Sequence, residues 1–291
     1  GEAGFDQRAV ILVNGRWLNT GHDGVADSLE QARSTLIRKC EYVYRLGLRK
    51  LGEDVPGVVI RPKIEDPEQY LRPFVDFLKE KGEDPKTFVL DALARHRLVI
   101  MGEVHHRPRY WAFNASLVED PRFAENVGAI YMELPSNDQN LVEEFLAAEK
   151  LDTEPVIEML RDMLWMGWPD QPMLDFFVTV WKVNQKLPPE KRLRIVLVDM
   201  RRPWEKIQKK EDWGQYDVDR NKFMAENIVR DLRERPGEKK NALFIVGHGH
   251  VKLNFRFGDG KTVYPDASSY LCRELGAESV YAFFPHKPVS T

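Results

Sequence analysis

From about residue 95 onward the chain repeats one pattern: a short continuous apolar run, a polar interruption, then a stretch with helical spacing. The apolar runs fall at 98–101, 129–132, 194–198, 243–246 and 280–284, and the segments at 141–149, 156–165, 173–183, 220–233 and 268–275 carry 3–4 spacing. A strand without polar alternation is buried on both faces, and parallel neighbours need crossovers long enough to hold a helix. The pattern therefore predicts an α/β fold, a mostly parallel sheet covered by helices on both faces.

The first ninety residues read differently. Residues 8–20 form a predicted hairpin around Asn14-Gly15, the dipeptide best suited to the positive φ angles of a two-residue turn. A helix follows with Leu29, Ala32, Leu36, Ile37, Cys40, Val43 and Tyr44 on one face. Residues 52–67, with three prolines, read as a linker into a second helix over 67–81. The expected organisation is an N-terminal hairpin and helical appendage over 1–90, accessory or a cap, and an α/β catalytic core over 91–291.

Composition removes several classes. Hydrophobic residues at 43% supply a sizeable core and argue against disorder. The 43 Lys+Arg against 46 Asp+Glu leave no basic excess, so no nucleic-acid partner is expected. No run approaches the roughly 18 apolar residues of a membrane span, so no transmembrane segment is expected. Cys40 and Cys272 are too few and too far apart for a disulfide framework or a zinc finger, and read as two small buried thiols, with a single disulfide as the alternative. The opening Gly1-Glu2-Ala3 looks like a processed start, which leaves a cytoplasmic location and secretion after removal of a leader both open. Oligomeric state stays open as well.

Four of the runs end in chemically competent side chains. The first leads into Gly102-Glu103-Val104-His105-His106, the second into Glu133, the third into Asp199, and the fourth into Gly247-His248-Gly249-His250. The carboxyl ends of parallel strands form the ligand crevice of an open α/β sheet. Arg220 shares a helix face with Phe223 and Met224, and a guanidinium turned inward requires a carboxylate; Glu103 and Glu133 are the expected partners. On an extended segment His248 and His250 would face one side, as two ligands of one metal do. His105 and His106 cannot both point inward, so one of them is structural. His22, His96 and His286 read as surface or loop residues. Residues 164–172 are aromatic and turn-rich, a helix end or a lid, and the charged stretches 206–212 and 230–240 read as solvated helix faces.

At these residues the chain resembles the superfamily that joins erythromycin esterase-like enzymes, ChaN-type haem-binding proteins and the Tiki/TraB proteases. The resemblance rests on the Gly102–His106 motif, on Tyr131-Met132-Glu133-Leu134-Pro135, on Arg220-Asn221 with Met224, Ala225 and Asn227, and on Gly247-His248-Gly249-His250-Val251. It covers about residues 90–285 and implies a hydrolytic site of Glu103, His105 or His106, Glu133, Arg220 and His250. The Tiki and ChaN spelling of the first motif selects His105 and the esterase spelling His106.

The expected function is a hydrolase of an ester, lactone, amide or peptide bond, with a small-molecule or peptide substrate. A first-motif histidine acts as general base, Glu103 orients its ring, Arg220 holds Glu133 and meets the oxyanion, and His250 protonates the leaving group. As a variant, a divalent ion (Zn, Mn or Co) on His105, Glu133 and His250 activates the water instead. The rival expectation is a haem-binding protein of the ChaN type without catalysis, with an imidazole or Tyr110 on iron and Trp111, Trp165 and Trp168 lining a flat cleft.

Overall fold

The computed structural model of the protein describes residues 10–13, 16–19, 64–105, 107–162, 171–203, 206–207, 209–234, 241–253, 255–256 and 263–284. Contacts divide the chain into two units, Gly1–Thr87 and Phe88–Thr291. In the first, β1 (Val10–Val13) and β2 (Arg16–Asn19) pair antiparallel with Val13 opposite Arg16, the two-residue hairpin register that Asn-Gly predicts. Helix α1 (Pro67–Lys81) has the expected bounds. Asp66 caps it by accepting the Gln69 N–H at 2.9 Å, and Pro67 occupies the first helical position, where no N–H is needed. The predicted helix through residues 29–44, most of the linker, and Cys40 lie outside the described residues.

The second unit is built on a parallel sheet. In chain order its elements are α2 (Pro85–Arg95, whose first three residues belong to the first unit), β3 (Leu98–Glu103), α3 (Pro108–Val118), α4 (Pro121–Asn126), β4 (Val127–Pro135), α5 (Gln139–Ala147) and α6 (Glu154–Asp162). There follow α7 (Gln171–Asn184), β5 (Arg194–Asp199), α8 (Lys210–Trp213), α9 (Arg220–Glu234) and β6 (Asn241–Gly247). A small antiparallel pair, β7 (Phe255–Arg256) and β8 (Val263–Tyr264), precedes α10 (Ala267–Leu275) and β9 (Val280–Phe283). Five strands form the sheet in the order β5-β4-β6-β3-β9, every pair parallel.

The two faces separate by strand alternation. Ile130, Met132 and Leu134 of β4 pack into one core with Leu93, Leu117, Phe145, Met159 and Phe177 from α2, α3, α5, α6 and α7. Ala129 and Tyr131 join the opposite core with Met224 and Ile228 of α9 and Leu271 of α10. Helices thus cover both faces, and the fold is the expected α/β arrangement. Among the described residues no helix is long and apolar enough to cross a membrane.

Strand length and crossover direction together bring the acids to one edge of the sheet. Each of β3, β4 and β5 runs past its apolar stretch to include the acid behind it, so Glu103, Glu133 and Asp199 are held by sheet rather than loop. The chain leaving β4 reaches β5 along the α5–α7 face, whereas the chain leaving β6 reaches β9 through α10 on the other face. β4 and β6 are neighbours, so the crossovers diverge between them, the place where an open α/β sheet leaves a crevice.

Three local expectations need correction. Helices α2, α3 and α4 have no counterpart in the sequence reading; each starts at a proline (Pro85, Pro108, Pro121), which suits the first turn of a helix as well as a loop. Trp111, which the haem-binding expectation put on a cleft wall, is a core residue, 2% exposed and tilted against Phe176 at 5.4 Å between ring centroids. Cys272 is a free thiol but half-buried on α10.

Candidate functional site

Glu133 stands two residues beyond Tyr131 on β4 and, like it, is buried. Its Oε2 accepts the Gly247 N–H from the end of β6 at 2.7 Å. Its Oε1 accepts from Arg220 Nη2 at 2.5 Å and lies 3.1 Å from His250 Nε2. Arg220 opens α9 and also donates through Nε and Nη2 to Asp199 Oδ1 and Oδ2, at 3.0 and 2.8 Å. Asp199 in turn accepts Arg202 Nη2 at 2.9 Å and the Met200 N–H at 2.7 Å. One guanidinium therefore ties the ends of β4 and β5 together, and a second, on the almost fully buried Arg202, backs it.

Burial opposes ionisation of Glu133, but the His250 ring and Arg220 outweigh it and hold its carboxyl well below the usual range. Asp199 behaves alike: burial raises it, Arg220 and Arg202 lower it more, and it stays ionised. Arg220 is correspondingly pushed up against its own burial by Asp199 and Glu133. Burial works against a charged His250 as well, yet Glu133 lifts it above an ordinary imidazole.

The end of β3 supplies the other half. Glu103 is buried, and His105 Nδ1 lies 2.5 Å from its Oε1. A side chain on Gly247 would bring its Cβ within 3.1 Å of both Glu133 Oε2 and His105 Cε1, with His105 Nε2 at 3.4 Å. The bare α-carbon of Gly247 is what lets the His105 ring and the Glu133 carboxylate approach one another. Gly102 is crowded for another reason, since a Cβ there would meet Phe284 Cβ at 2.7 Å and His248 Cα at 3.2 Å.

Five of the six expected site residues, Glu103, His105, Glu133, Arg220 and His250, stand at the carboxyl ends of β3, β4 and β6 and at the start of α9. His106 lies outside the described residues, as do Trp165 and Trp168. Glu103 is not a partner of Arg220: it pairs with His105, and Asp199 takes the place beside Glu133. His248 and His250 do not face one side, because residues 248–250 form a 3₁₀ turn rather than extended chain. At three residues per turn, positions two apart diverge by about 240°. His248 instead lies against Phe284, ring centroids 6.5 Å apart. Three further residues complete the site: Asp199, Arg202 and Asn221. Asn221 had a signal, its place beside Arg220 in one first turn; Arg202 follows Asp199 by three but had no helical or strand pattern to mark it.

The proposed ligand trio for a divalent ion does not fit one. Both Glu133 oxygens already receive donors, one of them a guanidinium at 2.5 Å. A cation there would meet that fixed positive charge at close range. Among the described residues no three of His, Cys, Asp and Glu are grouped as a metal requires.

No known protein family matches the sequence, and no curated protein matches it. Solved structures show distant likeness. Two structures of bacterial protein toxins align over 84% of this chain and 46% of their own, at 16% and 14% identity and TM-scores of 0.43 and 0.44. The chain thus spans just under half the length of those toxins. A structure of ChaN of Campylobacter jejuni, with cofacial haem bound, aligns over 68% of this chain and 84% of its own at 12% identity and a TM-score of 0.43.

Proposed function

We propose that the chain is a metal-independent hydrolase of an ester, lactone, amide or peptide bond. The observation that carries this reading is one buried carboxylate paired with a half-buried guanidinium and flanked by two imidazoles with different partners, His105 on Glu103 and His250 on Glu133. With its Nδ1 proton held by Glu103, His105 presents Nε2 as the basic nitrogen, the arrangement a general base needs. It takes a proton from water, and the resulting hydroxide attacks the carbonyl carbon. Arg220 uses Nε and Nη2 on the two acids, which leaves Nη1 as the donor this reading assigns to the developing oxyanion. The carbon–oxygen or carbon–nitrogen bond then breaks, and His250 supplies the proton the leaving group takes.

His105→Ala is expected to lower turnover of a responsive ester or amide by about 10²–10⁴-fold, the range of a general base. Wild-type rates in that variant would overturn the assignment. Activity should also survive exhaustive chelation; loss that zinc, manganese or cobalt restores would overturn the metal-independent part. The haem-carrier alternative loses one of its expected cleft residues, since Trp111 packs in the core. A red protein with a Soret band and no hydrolysis would reverse that preference.

A further inference from the structure

We propose that Asn221 is a positioning residue that dedicates His250 to proton donation, and that the site is consequently built for substrates with basic leaving groups. This rests on the hydrolase reading above and deepens it.

Donors and acceptors around the ring fix its protonation. Asn221 is buried on the first turn of α9, and its Oδ1 accepts the Ala267 N–H at 3.1 Å. A backbone N–H can only donate, so the atom it meets is the amide oxygen, and the orientation of the side chain is fixed. His250 Nδ1 lies 2.5 Å from that same oxygen and must therefore carry a proton. His250 Nε2 faces the Glu133 carboxylate at 3.1 Å, a second acceptor, and must carry one too. A ring between two acceptors is an imidazolium, with no lone pair to offer water or a metal ion.

Asp266 extends the arrangement. It caps α10 by accepting the Ser269 N–H at 2.9 Å, which holds in place the turn that begins with Ala267. The start of α10 thus orients Asn221, and Asn221 orients the ring through Nδ1 while Nε2 remains toward Glu133 and the crevice. An acid kept in this form matters only where the departing group needs its proton. An alkoxide or an amine does; an aryloxide leaves without it. The substrate class is accordingly an alkyl ester, lactone or amide.

The test compares one acyl group on a phenol and on an alkyl alcohol, with wild-type protein, Asn221→Leu and Asn221→Asp. Asn221→Leu removes the acceptor and is expected to lower kcat for the alkyl ester about 10²-fold, the loss that misplacement of a reacting group by about 1 Å produces, with a much smaller loss on the aryl ester. Asn221→Asp keeps an acceptor for both donors and is expected to recover most of the alkyl activity. An equal loss on both esters, or no loss on either, overturns the positioning role while leaving the hydrolase reading intact. Imidazole ¹⁵N spectra at neutral pH supply a readout that needs no turnover. Wild-type His250 should show both nitrogens protonated, and Asn221→Leu should not; a singly protonated wild-type ring overturns the inference even if no substrate has been found.

Discussion

Helix α9 carries an ion cluster at each end, and the two are made of similar parts. Near its C-terminal end Asp231 receives Arg194 through both guanidinium nitrogens, at 3.1 and 3.0 Å, and the Tyr131 hydroxyl at 2.8 Å. At its first turn Arg220 meets Asp199 and Glu133, with Arg202 and His250 behind them. The Asp231 cluster is a closed bidentate pair and raises Tyr131 by burial and by the neighbouring acid, so its groups stay in one protonation state. The Arg220 cluster differs in three ways: it sits at the carboxyl ends of the strands, it includes an imidazole, and a second imidazole, His105, meets it across the bare α-carbon of Gly247. Ion pairing alone does not mark a functional site; ion pairing beside groups that exchange protons does.

The largest difference between the two ends should appear when an acid is removed. Asp199 is shared by two arginines, so Asp199→Asn leaves buried positive charge without its counterpart and should cost about 3–5 kcal/mol of stability, measured by urea unfolding. The pH dependence sharpens this. Asp199 and Glu133 titrate lower folded than unfolded, so their contribution is complete above the unfolded carboxylate range and disappears only as pH falls through the lowered folded values. His250 is raised, so its contribution is present below the unfolded imidazole value and is lost as pH rises through the folded one. Wild type should lose stability on both flanks, and Asp199→Asn should lose much of the acid-side slope. A variant as stable as wild type, with the same acid slope, would make the Arg220 cluster no more than surface electrostatics.

Legibility in the sequence divides along the same line. The five strands and α9 were legible because continuous apolar runs and 3.6 periodicity are written locally. Which acid meets Arg220 was not, because the order of parallel strands is set by crossovers and not by neighbours in the chain. Glu103 comes first in sequence, but β6 separates β3 from β4, whereas β5 lies directly beside β4 and brings Asp199 next to Glu133. Period-two placement of His248 and His250 fails because it holds only for extended chain, and the sheet ends at Gly247, where the backbone tightens into a 3₁₀ turn. Asn221 was visible as a letter in a motif and invisible as a contact, since its partners Ala267 and His250 come from a later helix and a later turn.

The glycine joint gives a smaller and more selective test. In Gly247→Ala the new methyl would stand 3.1 Å from Glu133 Oε2 and from His105 Cε1, so both must yield by a few tenths of an ångström. Turnover should fall about tenfold through the displaced imidazole, with unfolding by urea little changed. Equal activity in the variant would mean that the approach of His105 to Glu133 is incidental, and the contrast between the two ends of α9 would lose its third element.

The smallest effect is expected at the opposite end, and there the prediction is one of silence in activity. Tyr131→Phe deletes the hydroxyl that donates to Asp231 but leaves the bidentate Arg194 pair in place. Asp231 keeps its charge partner, and Phe fills the same buried volume, so the loss should be that of one hydrogen bond, about 0.5–1.5 kcal/mol. Tyr131 lies on the same strand as Glu133 and two residues before it, facing the same side. If the clusters are independent, the melting curve should shift while kcat and KM do not. A fall in kcat comparable to that of Gly247→Ala would show that strain passes along β4 from one cluster to the other, and α9 would then be one coupled network instead of a structural end and a reactive end.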